Sequence, residues 1–480
     1  MEHVYQLAPV SPVLSPECCD AAPVQTFHAE VGGIPRTWHI FFPSAYDGST
    51  PLPLLVTLHG NGGYRPERNP WHYTAQRAGF IVLYPEAVSP FQWNIWGIKT
   101  DQGAPDDVAY LDYLLDEMLE SYAVDRTRIY MHGQSMGDNM ATYYAYKRGE
   151  RLAALAVTSG PTLPSVAYHT DGTHRFVPET PIPVARVHGE LDNMCGLPST
   201  YGIPKREIEA ALSDEEQIWL RAIMEQMQLS LWQEINGTLT EPQLHFDEKR
   251  NIEWYPGHCG RLVYYSMAGG LHHPNPDVYD MLWEETLDGY QRIGDTILDN
   301  APEKHFPADS RMVAAADGCD CIYQELHIRR VSGLNLEIRE SVLYGSLDFI
   351  RQTFPDIHIL QEKEAMSATL HYDGNTMQLA AGHNLVLVNG YVKPVSPVLV
   401  HNGKLHLPLS QILPILVSCR VQILNGIACF TDHPFVITQD GARKLRQMLL
   451  QEQLPEGTKA LEFEAAIKDK IEAHMRKMEM

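Results

Sequence analysis

The chain has 480 residues, of which 44% are hydrophobic and 20% charged, and its 37 basic and 60 acidic residues give a formal net charge of −23. This composition excludes wholesale disorder, and the length exceeds one ordinary hydrophobic core, so we expect two domains. A chain this acidic repels nucleic-acid phosphates and anionic lipid, and its sequence has no apolar run of about 18 residues. We therefore expect neither a nucleic-acid partner nor a membrane span.

The first 20 residues, MEHVYQLAPVSPVLSPECCD, have an early Glu, no basic region and no continuous apolar stretch. They do not match a secretory signal, so we expect a cytoplasmic location. The alternative is a secreted or cell-surface protein whose leader is missing from this sequence. Residues 1–25 are Pro-rich and without periodicity, and we interpret them as an N-terminal arm.

From residue 26 to about 300, apolar runs alternate with helical patterns. Seven strands are predicted, at 37–42, 53–59, 80–85, 128–132, 152–159, 184–188 and 262–267. Most are near-continuous apolar runs, as expected for strands buried on both faces. The segment 108–122 has helical spacing of its apolar residues, and Asp106 suits its N-cap. We predict an α/β fold with a mostly parallel sheet and helices on both faces.

Residues 201–230 interrupt this alternation, because they have helical spacing but no strand follows until about residue 262. We interpret them as a helical insertion on the rim of the sheet and as a possible lid over the site.

After residue 300 the pattern changes to short alternating strands of a smaller α+β domain, predicted over 333–440. Residues 301–332 are interpreted as a linker and residues 441–480 as a charged helical tail. Asn402-Gly403 and Asn425-Gly426 predict two hairpin turns, since both positions of an Asn-Gly turn accept positive φ. Short helices predicted at 345–354 and 409–416 suggest two copies of a strand–helix–hairpin unit roughly sixty residues apart.

The segment RIYMHGQSMGDNMATYYAYKRG contains the pentapeptide Gly133-Gln134-Ser135-Met136-Gly137. This G-x-S-x-G pattern is weak alone, but an apolar strand enters it and a helical pattern leaves it, which is the context of a nucleophile elbow. The alternative is an ordinary strand–helix loop in which Ser135 caps the helix. We predict that Ser135 is a nucleophile, held clear of the sheet by a tight turn that the glycines permit.

A serine hydroxyl needs a base to take its proton, and the base needs an acid to orient it. After Ser135 the chain offers Asp192 just past the sixth predicted strand, with Glu190 as the rival acid. His272 and His273 follow the seventh strand, and spacing alone does not separate them. Because parallel strands end at one edge of a sheet, we expect these residues to meet Ser135 there.

Acyl transfer also needs hydrogen-bond donors for the oxyanion. One expected donor is the backbone N–H of Met136, next to the nucleophile. The second is expected from the Gly-rich loop LLVTLHGNGG, where Asn61 is the candidate. The alternative for this loop is a plain turn between strand and helix.

Residues from about 35 to 295 resemble the polyhydroxybutyrate depolymerase and feruloyl or acetyl-xylan esterase group of α/β-hydrolases. The similar stretches are LPLLVTLHGNGG, AGFIVLYPE followed by QWNIWG, the helix leading into the elbow, HGELD and GGLHHPNP. The resemblance implies the α/β-hydrolase fold, Asp192 as the acid, and His272 rather than His273 as the catalytic histidine.

Two features bear on the substrate. Asp138 stands where the group usually has a second glycine after the elbow, and a carboxylate there is expected to disfavour anionic substrates or to alter the pH profile. Trp93 and Trp96 are candidates for stacking an aromatic or sugar ring, with packing in the core or rim as the alternative.

The region from about 335 to 435 resembles the copper amine oxidase N-terminal-like module of Gram-positive surface proteins. The similarity lies in LVLVNGYVKPVSPVLVHNGKLHLPLSQILPIL, with Asn389-Gly390, Asn402-Gly403 and Pro408. The resemblance implies no copper, and it suggests a role in attachment or spacing.

Together these observations predict a serine carboxylester hydrolase that works through an acyl-enzyme and needs no cofactor and no metal. The expected substrates are acetyl, feruloyl or other short acyl esters of plant polysaccharide, or polyhydroxyalkanoate esters. The alternatives are a peptidase or acyltransferase on the same fold, and an inactive hydrolase-fold protein that binds or sits at the cell surface. The oligomeric state is left open.

Overall fold

The computed structural model of the chain describes residues 24–61, 66–88, 92–97, 103–192, 205–257, 261–299, 312–364 and 366–478. The chain divides into two compact units, each of which is discontinuous in sequence. Unit 1 draws on the ranges Met1–Pro242, Trp254–Lys304 and Leu454–Met480, and unit 2 on Gln243–Glu253 and His305–Gln453. Most of the expected N-terminal arm and the first part of the expected linker lie outside the described residues.

Twelve strands are described before residue 300. They are Gln25–Val31 (β1), Ile34–Phe41 (β2), Leu52–Leu58 (β3), Ile81–Pro85 (β4), Val124–Gln134 (β5), Ala154–Thr158 (β6), Val184–Gly189 (β7), Gln243–Phe246 (β8), Arg250–Tyr255 (β9), Leu262–Met267 (β10), Tyr290–Ile293 (β11) and Thr296–Asp299 (β12). All seven predicted strands are present, as β2 to β7 and β10. The flanking strand β1 and the β11–β12 hairpin were not predicted.

Eight strands of unit 1 lie in one sheet in the order β1-β2-β4-β3-β5-β6-β7-β10. The pairs from β4 through β3, β5, β6 and β7 to β10 are parallel, and β1 and β2 add an antiparallel edge. Strands β4 and β6 are buried at every residue, which requires cover on both faces of the sheet. This strand order and the covered parallel sheet are those of the α/β-hydrolase fold, as the sequence predicts.

The helices in the same part of the chain are Trp71–Ala78 (α1), Asp107–Ser121 (α2), Met136–Arg148 (α3), Pro164–Ala167 (α4), Lys205–Ala211 (α5), Asp214–Asn236 (α6) and Pro276–Leu282 (α7). Helix α2 starts where the sequence predicts, because the Asp106 carboxylate accepts a hydrogen bond from the Ala109 backbone N–H at 3.0 Å. The helix α3 begins directly after the predicted nucleophile, Ser135.

The insertion expected at 201–230 consists of α5 and the 23-residue helix α6. A capping box fixes the start of α6: the Ser213 hydroxyl accepts from the Glu216 backbone N–H, and the Glu216 carboxylate accepts from the Ser213 backbone N–H. Trp232 on α6 is fully buried and its ring packs edge-on against Tyr146 of α3. The interpretation of this insertion as a lid is therefore corrected, because α6 is part of the core. The strands β8 and β9 also follow it, where none was expected.

Fourteen strands of unit 2 are described after residue 311. They are Val313–Ala316 (β13), Cys321–Gln324 (β14), His327–Arg330 (β15), Glu337–Arg339 (β16), Val342–Ser346 (β17), His358–Glu362 (β18), Ser367–Tyr372 (β19), Asn375–Ala380 (β20), Leu385–Val388 (β21), Tyr391–Pro394 (β22), Leu399–His401 (β23), Lys404–Pro408 (β24), Arg420–Leu424 (β25) and Ile427–Thr431 (β26). Three helices accompany them: Leu347–Thr353 (α8), Leu409–Val417 (α9) and Gln439–Leu450 (α10).

These strands form three antiparallel sheets, in the orders β15-β14-β13-β26-β25, β16-β17-β24-β23 and β18-β19-β20-β21-β22. The interpretation of 301–332 as a linker is wrong over its described part, because β13, β14 and β15 occupy most of residues 313–330. Strand β13 is buried at every residue and pairs with β26, so this segment belongs to the core of unit 2.

The expected repeat is present in the element order. Strand β17, helix α8 and the β18–β19 hairpin are followed, beginning 62 residues later, by β24, α9 and the β25–β26 hairpin. The two predicted Asn-Gly turns connect β23 to β24 and β25 to β26. Both residues of each turn have positive φ, between 47° and 76°, which is the conformation that selects Asn-Gly.

The predicted helical tail is split between the units. Helix α10 packs in unit 2, whereas the last helix, Thr458–Met478 (α11), belongs to unit 1. Glu464 of α11 accepts hydrogen bonds from the Ser165 backbone N–H and hydroxyl at the start of α4, at 2.6 and 2.7 Å. Among the described helices, none is both long enough and apolar enough to cross a membrane.

Candidate active site

The parallel strands of unit 1 bring the predicted site segments to one edge of the sheet. Leu58 at the end of β3 is in register with Gly133 near the end of β5, and Gln134 is in register with Thr158 at the end of β6. At the other side, Gly189 at the end of β7 pairs with Met267 at the end of β10. The four loops that carry Asn61, Ser135, Asp192 and His272 therefore all leave the sheet at this edge.

Ser135 occupies a strained turn between β5 and α3. Its backbone has φ 57° and ψ −119°, and its N–H donates to the Thr158 carbonyl at 2.9 Å. A non-glycine residue at positive φ is costly and marks a position that the surroundings enforce. The close approach of chain segments requires glycine on either side: a Cβ at Gly137 would lie 2.1 Å from the Leu58 carbonyl oxygen. The side chain of Ser135 is partly exposed at this turn.

The loop after β3 lies against the elbow. A Cβ at Gly60 would be 3.1 Å from the Ser135 Cβ, and Asn61 follows as an exposed residue. The neutral His59 ring braces this loop, because burial lowers its pKa: Nε2 accepts from the Ala87 backbone N–H at 3.0 Å and Nδ1 donates to the Gly60 carbonyl at 2.7 Å. The backbone N–H of Met136 is at the first position of α3, where helix amides have no intrahelical partner.

The acid and histidine loops are bound to each other. Asp192 is buried, and its Oδ2 lies 2.8 Å from the Nδ1 of His272. Glu190, the rival acid, instead accepts a hydrogen bond from the Gly269 backbone N–H at 2.9 Å. The His272 carbonyl accepts from the Gln134 side-chain amide at 3.2 Å, which ties the histidine loop to the residue before Ser135. Of the two adjacent histidines, His272 is the one bonded to Asp192.

His273 borders a cavity of about 270 Å³ beside the elbow. Burial lowers the pKa of His273, and the neighbouring His272 lowers it further, so its ring is neutral at pH 7. The residues lining this cavity are Thr57, Leu58, His59, Gly60, Arg68, Asn69, Pro70, His132, Gln134, His273 and Tyr279. The cavity thus adjoins both the elbow and the loop that leads to Asn61.

Trp93 and Trp96 do not offer free ring faces. They are 1% and 4% exposed, so the interpretation of these rings as a substrate platform is corrected. The Trp93 indole N–H donates to the His59 carbonyl at 2.9 Å and supports the loop after β3. The Trp96 indole N–H donates at 3.1 Å to Asn139, one turn into α3, and its ring stacks on Phe176. Both tryptophans brace the site from within the core.

Asp138 is 1% exposed and pairs with Arg186 of β7. The expectation that this carboxylate disfavours anionic substrates by direct contact is therefore corrected, because the charge is buried and paired. Burial raises the pKa of Asp138 to about 7, and the Arg186 guanidinium opposes that rise.

Sequence reasoning does not identify Arg186, His188 and Glu225, which lie buried around Asp138 and Asp192. A signal was present, since VARVH puts an arginine and a histidine inside a strand buried on both faces. Such residues must find charged or polar partners. Within the described ranges, no three His, Cys, Asp or Glu side chains are grouped so that they could hold a metal ion.

Comparison with known proteins finds esterases. Over 178 residues the chain is 30% identical to a bifunctional acetylxylan esterase/xylanase of Neocallimastix patriciarum, a match covering 36% of this chain and 24% of that protein. Over 159 residues it is 30% identical to feruloyl esterase B of Piromyces equi, covering 32% of this chain and 28% of that protein. The chain thus matches about a quarter of the length of these curated relatives.

Among solved structures, the acetyl xylan esterase from Aspergillus awamori aligns with 54% of this chain and 98% of its own, at 16% identity and a TM-score of 0.38. A thermostable esterase aligns with 57% of this chain and 64% of its own, at 16% identity and a TM-score of 0.37. No protein-family model matches the chain.

Proposed function

We propose that this chain is a serine carboxylester hydrolase with Ser135 as nucleophile, His272 as general base and Asp192 as the acid that orients the base. The observation that carries the proposal is the strained turn at Ser135 on the sheet edge where the bonded pair Asp192–His272 also lies. The similarity to acetylxylan and feruloyl esterases supports ester chemistry.

In the proposed reaction, the Nδ1–H of His272 donates to Asp192, which leaves Nε2 to accept the Ser135 hydroxyl proton. The Ser135 oxygen attacks the ester carbonyl, and the backbone N–H groups of Asn61 and Met136 stabilise the oxyanion. His272 then gives the proton to the leaving alcohol. Water, activated by the same histidine, releases the acid from the acyl-enzyme.

The proposed substrates are acetyl or feruloyl esters of plant polysaccharide. The names of the relatives support this choice over polyhydroxyalkanoate esters, which remain the alternative from the sequence motifs. The cavity lined by Gly60, Gln134 and His273 is large enough for a small acyl or alcohol group beside the elbow. An inactive binding protein is less favoured, because Asp138, the departure from the group's pattern next to the elbow, is buried and paired with Arg186.

The test compares wild type with Ser135→Ala on p-nitrophenyl acetate, methyl ferulate and acetylated xylan, with release of acetate or ferulate as the readout. We expect the variant to lose at least ~10³-fold in kcat, while the exposed Ser121→Ala control keeps wild-type rates. A fluorophosphonate should add its mass to the peptide containing Ser135 in wild type alone. Equal rates in wild type and Ser135→Ala would reject the proposal.

We also infer that unit 2 is an attachment or spacing module. The support is its repeated strand–helix–hairpin unit and the resemblance to the copper amine oxidase N-terminal-like module. Co-sedimentation of the full-length Ser135→Ala chain with insoluble xylan and with bacterial cell wall tests this inference. Retention on either polymer favours attachment, and absence from both pellets rejects attachment.

A further inference from the structure

A series of buried ionisable side chains, each in contact with the next, connects the helix after Ser135 to the acid of the proposed triad. Its members are Asp138 on α3, Arg186 and His188 on β7, Glu225 on α6, and Asp192 in the loop after β7. None of the five is more than 4% exposed. All five lie in unit 1, and four of them stand on α3, on β7 or in the loop after β7, which border the proposed site.

Arg186 connects Asp138 to Glu225. Its Nε donates to Glu225 Oε2 at 2.7 Å, and its Nη1 and Nη2 each lie 3.4 Å from one oxygen of Asp138. The Asp138 carboxylate also accepts from the Thr142 hydroxyl at 3.1 Å and from the Gly160 backbone N–H at 2.9 Å. The guanidinium therefore fixes the first turn of α3 with respect to β7 and α6.

His188 connects Glu225 to Asp192 in the acid loop. Its Nδ1 lies 3.2 Å from Glu225 Oε1, and its Nε2 lies 2.8 Å from the Asp192 carbonyl and 3.7 Å from Asp192 Oδ2. Burial alone would lower the pKa of His188, but Glu225 and Asp192 together raise it. The two ring nitrogens of His188 therefore face the Glu225 carboxylate and the backbone carbonyl of Asp192. Asp192 Oδ2 in turn bonds His272.

Glu225 is the shared partner in this arrangement. One carboxylate oxygen binds Arg186 and the other faces His188, so its loss would remove one of the two counter-charges of Arg186 and leave His188 Nδ1 without the carboxylate that it faces. Arg221, one helical turn earlier on α6, donates to the Glu190 carbonyl at 3.1 Å and adds a second connection between α6 and the acid loop. The inserted helix α6 therefore contacts the acid loop directly, through Arg221.

We propose that Glu225 is a positioning residue for ester hydrolysis, acting through His188 to hold Asp192 in the geometry that orients His272. The proposal rests on the proposed function of the Ser135 site and adds to it a role for the inserted helix. Glu225 touches neither substrate nor reacting atoms. Its effect on the rate must therefore depend on the presence of the Asp192 carboxylate.

That dependence separates positioning from general structural support. The kinetic test measures kcat and KM for p-nitrophenyl acetate with Glu225→Gln, Asp192→Asn and the double variant, and with Glu234→Gln as an exposed control on the same helix. We expect Glu225→Gln to lower kcat by about tenfold or more with KM within about twofold of wild type. On the Asp192→Asn background the same change should cost less than about twofold.

A spectroscopic test does not need turnover. In protein labelled with ¹⁵N-histidine, the Nδ1–H of His272 bonded to Asp192 should give a low-field proton signal, assigned by its loss in His272→Ala. We expect Glu225→Gln to shift or broaden this signal and Glu234→Gln to leave it unchanged. This readout separates failure of the positioning role from failure of the proposed function, which the Ser135→Ala assay tests.

Two results would overturn the proposal. One is a loss in kcat of the same size on the wild-type and Asp192→Asn backgrounds, since Glu225 would then act independently of Asp192. The other is a folded Glu225→Gln protein with wild-type kcat and an unchanged His272 signal. If Glu225→Gln does not fold, His188→Gln enters the same cycle with the same expected and overturning results.

Discussion

The two units use sheets of opposite kind, and the difference determines in which unit loops far apart in sequence can meet. In unit 1 the parallel strands from β3 to β10 end at the same edge, so loops far apart in sequence meet there. In unit 2 the strands are antiparallel, and several are joined by two-residue turns at Asn389-Gly390, Asn402-Gly403 and Asn425-Gly426. Such a turn reverses the chain and brings together only its own flanking residues.

This contrast predicts where substitutions have their effects. In unit 1, a change at a strand end is expected to affect both the chemistry and the packing of neighbouring loops. In unit 2, a change at a turn is expected to cost only local backbone strain.

The largest effect is expected at the adjacent histidines of unit 1. His272→Ala removes the ring bonded to Asp192, and we expect kcat for p-nitrophenyl acetate to fall by about 10³-fold, or about 4 kcal/mol of transition-state stabilisation. His273→Ala removes a ring that lines the cavity, and we expect a change mainly in KM, within about tenfold. The reverse ranking of the two variants would identify His273 as the base.

The second largest effect, a loss of stability, is expected where α3 packs closely on β3. Gly137→Ala puts a methyl group 2.1 Å from the Leu58 carbonyl oxygen, so the elbow or the strand must move. We expect a loss of about 3 kcal/mol in the free energy of unfolding, measured by chemical denaturation. Gly149→Ala is the control, because its φ is −54° and its nearest non-neighbouring atom would be 3.1 Å away. Similar losses of unfolding free energy in both variants would show that the contact between Gly137 and Leu58 is no more sensitive to an added methyl group than the contact at Gly149.

The sequence predicts the positions of those site residues that directly follow a strand of the parallel sheet. Ser135, Asp192 and His272 follow predicted strands, and parallel topology alone brings them to one edge. The burial of Trp93 and Trp96 was not decided by sequence, because an aromatic ring beside a loop fits a core and a binding face equally well. Only the tertiary contacts of these rings with His59 and Phe176 distinguish the two.

The buried charges show a different limit of sequence reasoning. Arg186 inside an apolar strand indicates that a buried acidic partner is required. That partner, Glu225, is 39 positions away, on a helix whose sequence pattern indicates a peripheral insertion. Pairing across that distance depends on how α6 packs, which periodicity does not encode. In unit 2, by contrast, Asn-Gly turns are local, and both predicted hairpins are confirmed.

A smaller effect on the free energy of unfolding is expected in unit 1 when the pH falls, and it arises from His132. This ring is 2% exposed, its Nδ1 lies 2.8 Å from the Thr57 hydroxyl, and burial lowers its pKa to about 3. Since the folded state keeps it neutral while the unfolded chain takes up a proton below pH 6.5, its contribution to stability is lost as pH falls from 6.5 toward 3.

Between pH 7.5 and 5.5 this ring should cost wild type about 1.3 kcal/mol of unfolding free energy that His132→Asn does not lose. Denaturant unfolding at the two pH values measures the difference. The exposed His169→Asn variant should behave as wild type. An identical pH dependence in wild type and His132→Asn would mean that His132 titrates normally in the folded protein.

The smallest effect is expected at a turn tip of unit 2. Gly403 has φ +73°, and a Cβ there would meet nothing within 4 Å, so Gly403→Ala costs only backbone strain, about 1 kcal/mol. Gly403→Asn should cost less, because Asn tolerates the left-handed region better than Ala. Unfolding free energies of the two variants measure this ranking. Ester hydrolysis at 25 °C should be unchanged in both, since no residue of this turn belongs to the Ser135 site. A drop in kcat without unfolding would show that the antiparallel unit takes part in the reaction, and the assignment of the reaction to unit 1 alone would then be wrong.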